Sequence, residues 1–225
     1  MNATLVVLSK YPEIFEGFRE SVDRDAPEIP KIVVWDKDTD SAFVSLGEHW
    51  ASDRVKTPFQ IAVNANRGWR LADGDVLYAG DDVRLIEPNT IQRLHDEAYS
   101  DPQIGIVGAN VTPPGPKQPF VPFVFVFIKR VVIDAIGYLD ERFTGYGCED
   151  VDLCYRAAKA GFKIGMANGV TVQHGVDGAT MMSTFRRVKS MAQIAAEDSA
   201  NCDRLADKLG WQDDLIAIWQ KLQAA

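Results

Sequence analysis

Two short apolar runs with a helix's worth of chain between them limit what this sequence can fold into more than any other feature. Thr4-Leu5-Val6-Val7-Leu8 and Ile32-Val33-Val34-Trp35 are continuous rather than alternating, so each predicts a strand covered on both faces. Pro12 suits the first turn of a helix reaching about residue 22. Strand, helix, strand at this spacing is a βαβ unit, whose right-handed crossover implies a parallel sheet with helices packed on it. In such sheets ligands bind beyond the carboxyl ends of the strands. Asp36 and Asp38, in Asp36-Lys37-Asp38-Thr39-Asp40, stand at that position. A solvated acidic turn would use the same residues.

The pattern continues. Residues 61–71 read as a helix containing Asn64, Asn66 and Arg67, and Ala72-Asp73-Gly74-Asp75 as a turn into a third strand at 76–79. That strand ends in Gly80-Asp81-Asp82. Two adjacent carboxylates at a strand tip repel each other unless a cation offsets them, and a hard divalent ion with oxygen ligands would do so. Ordinary turn chemistry is the alternative. A helix from Pro88 to about Tyr99 and a strand at 104–108 follow. Residues 112–119 hold four prolines and cannot form a regular element, so they predict an exposed loop. Residues 120–128 predict a buried strand, and 129–136 a short helix.

Gly145-Tyr146-Gly147-Cys148 then leads into Glu149, Asp150 and Asp152, at the start of a helix whose apolar positions Val151, Cys154, Tyr155 and Ala158 recur at the helical period. Gly161 ends it. Acids at a helix start accept bonds from free N–H groups, and Asp152 and Arg156 are spaced for an i,i+4 ion pair. Capping and catalysis both account for this cluster. Short strands at 163–167 and 170–172 lead to His174, one of three histidines. Amphipathic helices are predicted at 183–196 and 203–222, the second interrupted at Gly210-Trp211. Arg186, Arg187 and Lys189 make one basic cluster there, read first as a solvated face.

The 225 residues suffice for one large domain or two fused halves. A net charge of −8 argues against a broad nucleic-acid or anionic-membrane surface. Cys148, Cys154 and Cys202 form no CxxC pair, which fits a reduced, cytoplasmic setting. The N-terminus has no signal-peptide pattern, and no apolar run reaches the ~20 residues of a membrane span.

Taken in order, these landmarks resemble a family 2-like glycosyltransferase of the GT-A fold, over about residues 4–175. The carrying residues are Val33-Val34-Trp35-Asp36 with Thr39-Asp40, and Asn66-Arg67-Gly68 before Ala72-Asp73-Gly74-Asp75. Gly80-Asp81-Asp82 stands at the DxD-like triplet, Ile136-Gly137-Tyr138-Leu139-Asp140-Glu141-Arg142-Phe143 precedes Gly147-Cys148-Glu149-Asp150-Val151-Asp152-Leu153, and Val172-Gln173-His174 resembles the strand-end histidine of the metal site. Gly80 departs from the family pattern, which has an acid there.

The resemblance implies an α/β fold, a GT-A-type, Rossmann-like mixed sheet flanked by helices, with C-terminal helices. It implies a nucleotide-sugar-binding half at 1–110, an acceptor and catalytic half at 111–180, and a helical extension at 181–225. By the same resemblance the chain inverts the anomeric centre while moving a sugar from a nucleotide-diphosphate sugar to a saccharide, lipid-linked or other hydroxyl acceptor. Asp150 is then the general base and Glu149 its catalytic neighbour. Asp36, Asp38, Asn66 and Asp81 bind the donor, and Asp82 and His174 hold Mn²⁺ or Mg²⁺. The alternatives are a catalytically inactive nucleotide-sugar-binding module, or the same transfer onto a modified nucleic-acid base.

Overall fold

The computed structural model describes residues 1–41, 44–58, 60–114, 120–175 and 189–210. Strand β1 (Ala3–Ser9), helix α1 (Pro12–Asp25) and strand β2 (Lys31–Trp35) form the expected βαβ unit, with both strands buried along their whole length. Side chains alternate between two cores. Val6, Leu8, Ile32 and Val34 face one, and Leu5, Val7, Val33 and Trp35 face the other. Each fully buried aliphatic side chain of this kind stabilises the fold by about 1.5–3 kcal/mol.

Next come β3 (Trp50–Arg54), α2 (Ile61–Leu71), β4 (Asp75–Gly80), β5 (Val83–Leu85) and α3 (Thr90–Tyr99). The chain goes on through β6 (Ile104–Thr112), β7 (Phe125–Ile128), α4 (Arg130–Ile136), α5 (Glu149–Lys159), β8 (Lys163–His174) and α6 (Met191–Leu209). One eight-stranded sheet runs in the order β3-β2-β1-β4-β7-β6-β8-β5. The β3-β2-β1-β4 side is parallel, and β7 is antiparallel to both its neighbours, so the sheet is mixed.

Several boundaries differ from the sequence reading, each for a local reason. Strands β3 and β5 were not expected: β3 is an edge strand with exposed Ala51 and Ser52, and β5 is three residues long. Only 125–128 of the apolar run 120–128 is strand, because Pro122 turns the chain and its carbonyl accepts from Val124 N. Helix α3 begins at Thr90 rather than Pro88. The Asp25 carboxylate accepts from Thr90 N and Ile91 N, both at 3.0 Å, and fixes that start. The two short strands before His174 are one continuous strand, its register against β6 shifted between Gly108 and Asn110. Helix α6 runs unbroken through the expected gap at 197–202 and ends at Gly210, whose φ is 68°. Residues 183–188, with Arg186 and Arg187, and 211–222 lie outside the described residues. Among the described residues no helix is long and apolar enough to cross a membrane.

Candidate active site

Sheet register brings the first group of candidate residues together. Ser9 ends β1 opposite Trp35 of β2, and Leu8 lies opposite Gly80 of β4. The residues that follow each strand therefore meet at the carboxyl ends. Asp36 N donates to Ser9 O at 3.0 Å, and Ser9 Oγ donates to Asp81 Oδ2 at 2.6 Å. Asp36 is almost fully buried. Lys10 Nζ donates to its Oδ2 and Lys37 N to its Oδ1, each at 2.6 Å. Arg54, at the end of β3, pins the turn after Asp36 through the carbonyls of Asp36, Lys37 and Thr39. Asp38 is on this turn but exposed, with Lys37 3.8 Å away. Ser9 and Lys10 were missed in the sequence reading, although the rule that singled out Asp36 applies equally to the end of the first strand.

Asp82 and His174 meet because β5 pairs antiparallel with β8, which sets Val83 opposite His174. Gly175 N donates to Asp82 O at 2.8 Å and closes the end of that ladder. His174 Nε2 is 3.5 Å from Asp82 Oδ2, and that buried oxygen has no hydrogen-bond partner. A buried, unsatisfied carboxylate oxygen is costly, by roughly 1–3 kcal/mol or more. An oxygen and an imidazole nitrogen facing the same point fit a divalent cation such as Mn²⁺ or Mg²⁺. They make two ligands, and among the described residues no third acid, thiol or imidazole joins them.

Gly80 gains a reason here. A Cβ at that position would come within 2.9 Å of Asp82 Oδ1, so a larger residue would crowd the carboxylate that faces His174. Asp81 lies next to this charge. Burial first, then Asp82, pushes its carboxyl up to about 7.

The second group sits at the head of α5. Gly145, Gly147 and Cys148 all have positive φ, at 78°, 95° and 71°, so the loop turns sharply before the helix starts. Glu149 is buried and Asp150 half-buried. Both carboxyls are raised above the ordinary carboxylate range, burial being the largest cause for each. For Glu149 the neighbouring Asp150 comes next. For Asp150 the N–H groups of Val151 and Phe123 partly oppose the shift, and Asp198 adds to it. Tyr78 of β4 links the two groups. Its hydroxyl is raised well above its usual range by burial and then by Glu149, Asp150, Asp81 and Asp82 together.

Two acids of the region have structural work instead. Asp152, fully buried, pairs with Arg156 at 2.8 Å and Lys208 at 2.6 Å, and Arg156 also donates to the carbonyls of Ile136 and Tyr138. Asp140 is held well below the usual carboxylate range by Arg142 and, less strongly, by Lys208. The ion-pair account of Asp152 holds.

Asn66 is bonded within the fold. Its amide donates to Leu139 O at 2.8 Å and Glu141 Oε1 at 2.9 Å, and its oxygen accepts from Leu139 N at 3.0 Å. Both N–H groups are used on the chain between α4 and α5, and the side chain is fully buried. It ties α2 to the approach of the acidic helix.

Helix α6 closes over the acidic loop. Asn201 Nδ2 reaches the carbonyls of Thr144 at 3.0 Å, Tyr146 at 2.9 Å and Gly147 at 3.1 Å. Lys189, the described member of the basic cluster, pairs with Glu197 at 2.5 Å.

No protein-family model matches this sequence, and no curated protein matches it. Solved structures do. One is the crystal structure of GalNAc-T7 with UDP, GalNAc and Mn²⁺, at TM-score 0.66 and 12% identity, covering 87% of this chain. This chain spans 47% of that one, about half its length. Another is the crystal structure of a mycobacterial protein, at TM-score 0.67 and 14% identity, covering 94% of this chain and 76% of the other. Identities this low speak to architecture alone: the chain has a GT-A-like α/β fold, with helices on both faces of a mixed sheet, as the sequence reading expected.

Proposed function

We propose that this chain is an inverting, family 2-like glycosyltransferase that moves a sugar from a nucleotide-diphosphate sugar to a hydroxyl acceptor. The observation that carries the reading is the unsatisfied, buried Asp82 Oδ2 beside His174, at strand ends that also hold Asp36 and Asp81. Residues 1–110 bind the donor and 111–180 present the acceptor. Asp36, braced by Lys10, and the exposed Asp38 bond the base and ribose. Asp81, with a carboxyl that titrates near neutrality, faces the donor ribose or sugar.

Asp82 and His174 would hold Mn²⁺ or Mg²⁺, which when bound supplies Lewis-acid stabilisation for the departing diphosphate. Asp150 takes the proton of the acceptor hydroxyl. The hydroxyl oxygen forms the new bond to the anomeric carbon from the face opposite the diphosphate, whose bond to that carbon breaks. A carboxylate raised toward neutrality suits this role, since a base works best when its pKa lies near the working pH. Glu149 orients the acceptor.

A thermal-shift screen of UDP-, GDP- and dTDP-sugars with and without Mn²⁺ tests the reading. A donor at a hundred times its Kd should stabilise the fold by ~2.7 kcal/mol. The expected result is a shift for one nucleotide class, larger with Mn²⁺ and abolished by Asp82→Ala. No shift with any donor, in either condition, would sink the reading.

A further inference from the structure

The thiols of Cys148 and Cys202 are 3.2 Å apart, across the seam between the acidic loop and α6. The two are 54 residues apart in the chain, and neither takes part in the sugar-transfer reading. Asp198 lies one helical turn before Cys202, at i and i+4, so both project from the same face of α6. One ligand atom from each of Cys148, Asp198 and Cys202 lies within 4.8 Å of the others, the one such group of three among the described residues.

The backbone is shaped to bring them together. Cys148 caps α5 with φ of 71°, an unfavourable region for a residue with a side chain. Gly147 has φ of 95°, and a Cβ there would run into the Asp198 carboxylate. The loop thus presents Cys148 to α6 and leaves room for Asp198 above it.

The chemistry narrows the ligand. Two sulfurs and one carboxylate oxygen are a poor set for Mg²⁺ or Ca²⁺, which prefer oxygen, and a good one for Zn²⁺ and its thiophilic relatives. Zinc-to-sulfur bonds of about 2.3 Å at a tetrahedral centre hold two sulfurs roughly 3.8 Å apart. The observed pair would open by about half an ångström to reach that span. A disulfide needs about 2.05 Å, so the pair would have to close by about 1 Å, twice the movement. Burial first, and then Cys202, raise the Cys148 thiol; Asp198 and Asp150 add to this, and their negative charge is a field that favours a cation.

We infer that Cys148, Cys202 and Asp198 form a binding site for a thiophilic divalent cation of the Zn²⁺ class, with a fourth position open to water. Both thiols give up their protons on binding, and the cation joins α6 to the loop that carries Glu149 and Asp150. This site is separate from Asp82 and His174 in position and in ligand chemistry, and it stands whether or not the chain transfers sugars.

The test uses the reduced full chain, stripped with a chelator and titrated with Co²⁺. One equivalent should produce a thiolate-to-cobalt charge-transfer band, which Zn²⁺ then displaces. Cys202→Ser and Cys148→Ser should each abolish the band, and Asp198→Asn should weaken binding tenfold or more. Asp82→Ala should keep the band. Circular dichroism checks that each variant folds; if Cys148→Ser does not, the less buried Cys202→Ser decides. A folded wild-type chain without the band, or a band that survives Cys202→Ser, would overturn the assignment.

Discussion

Asp150 and Asp152 are two positions apart on the first turn of α5, and the two sides of that turn are different environments. On one side, Asp152 and Asp140 share Lys208 and are further held by Arg156 and Arg142. On the other, Glu149 and Asp150 have no ion-pair partner among the described residues, and both carboxyls are raised. Acids held between cations fix the helix in place. Acids left unpaired can exchange protons near neutrality, which is what proton transfer needs. The same short stretch of sequence thus carries one side paired with cations and another whose carboxyls are raised.

The sharpest way to break that contrast is Asp150→Asn. It should lower turnover by ~10²–10⁴-fold with nucleotide affinity unchanged. Parallel turnover and binding measurements check this, and near wild-type transfer would remove Asp150 from the base role. Asp152→Ala should do the reverse. It leaves Arg156 and Lys208 without their buried partner and should cost about 3 kcal/mol of stability in urea unfolding.

The pH dependence separates the two sides by sign. Asp81, Glu149 and Asp150 hold protons more tightly in the folded chain than in the unfolded one. Their contribution is complete below the unfolded pKa of ~4 and is lost as pH rises, for Asp81 through about 7, at up to ~1.4 kcal/mol per pH unit per group. Asp140 is depressed instead, so its contribution is present above ~4 and is lost as pH falls further. Melting temperatures across that range should fall at both ends, and Asp81→Asn should flatten the upper limb. The smallest effect is expected at the start of α6. Ser190 and Gln193 form a reciprocal cap on α6, and Ser190→Ala should cost about 1 kcal/mol in thermal unfolding.

Much of the frame could be read from the chain. Buried strands declare themselves as unbroken apolar runs, which is why β1, β2 and β4 were legible, and α2 was placed to the residue. Strand β3 was not, because Trp-Ala-Ser-Asp-Arg at an edge has no apolar period to detect. The strand-end positions of Asp36, Asp81 and Asp82 were legible from the apolar runs before them. That Asp82 faces His174 depends on β5, too short to be seen in sequence, and on its pairing with β8. The bonds of Asn66 to Leu139 were not legible, because a buried asparagine bonding to backbone has the same sequence signature as one facing a ligand. Asn201 and Asp198 carry no motif at all. Their effect comes from where α6 docks, and local pattern does not encode docking.

Asn201 grips the acidic loop only through main-chain oxygens, those of Thr144, Tyr146 and Gly147. A grip of this kind does not depend on what residues 144 and 146 are, whereas 147 must stay glycine. At position 147 the φ of 95° and the nearby Asp198 carboxylate leave room for glycine alone. The three bonds thus record the path of the loop into α5 rather than the side chains along it.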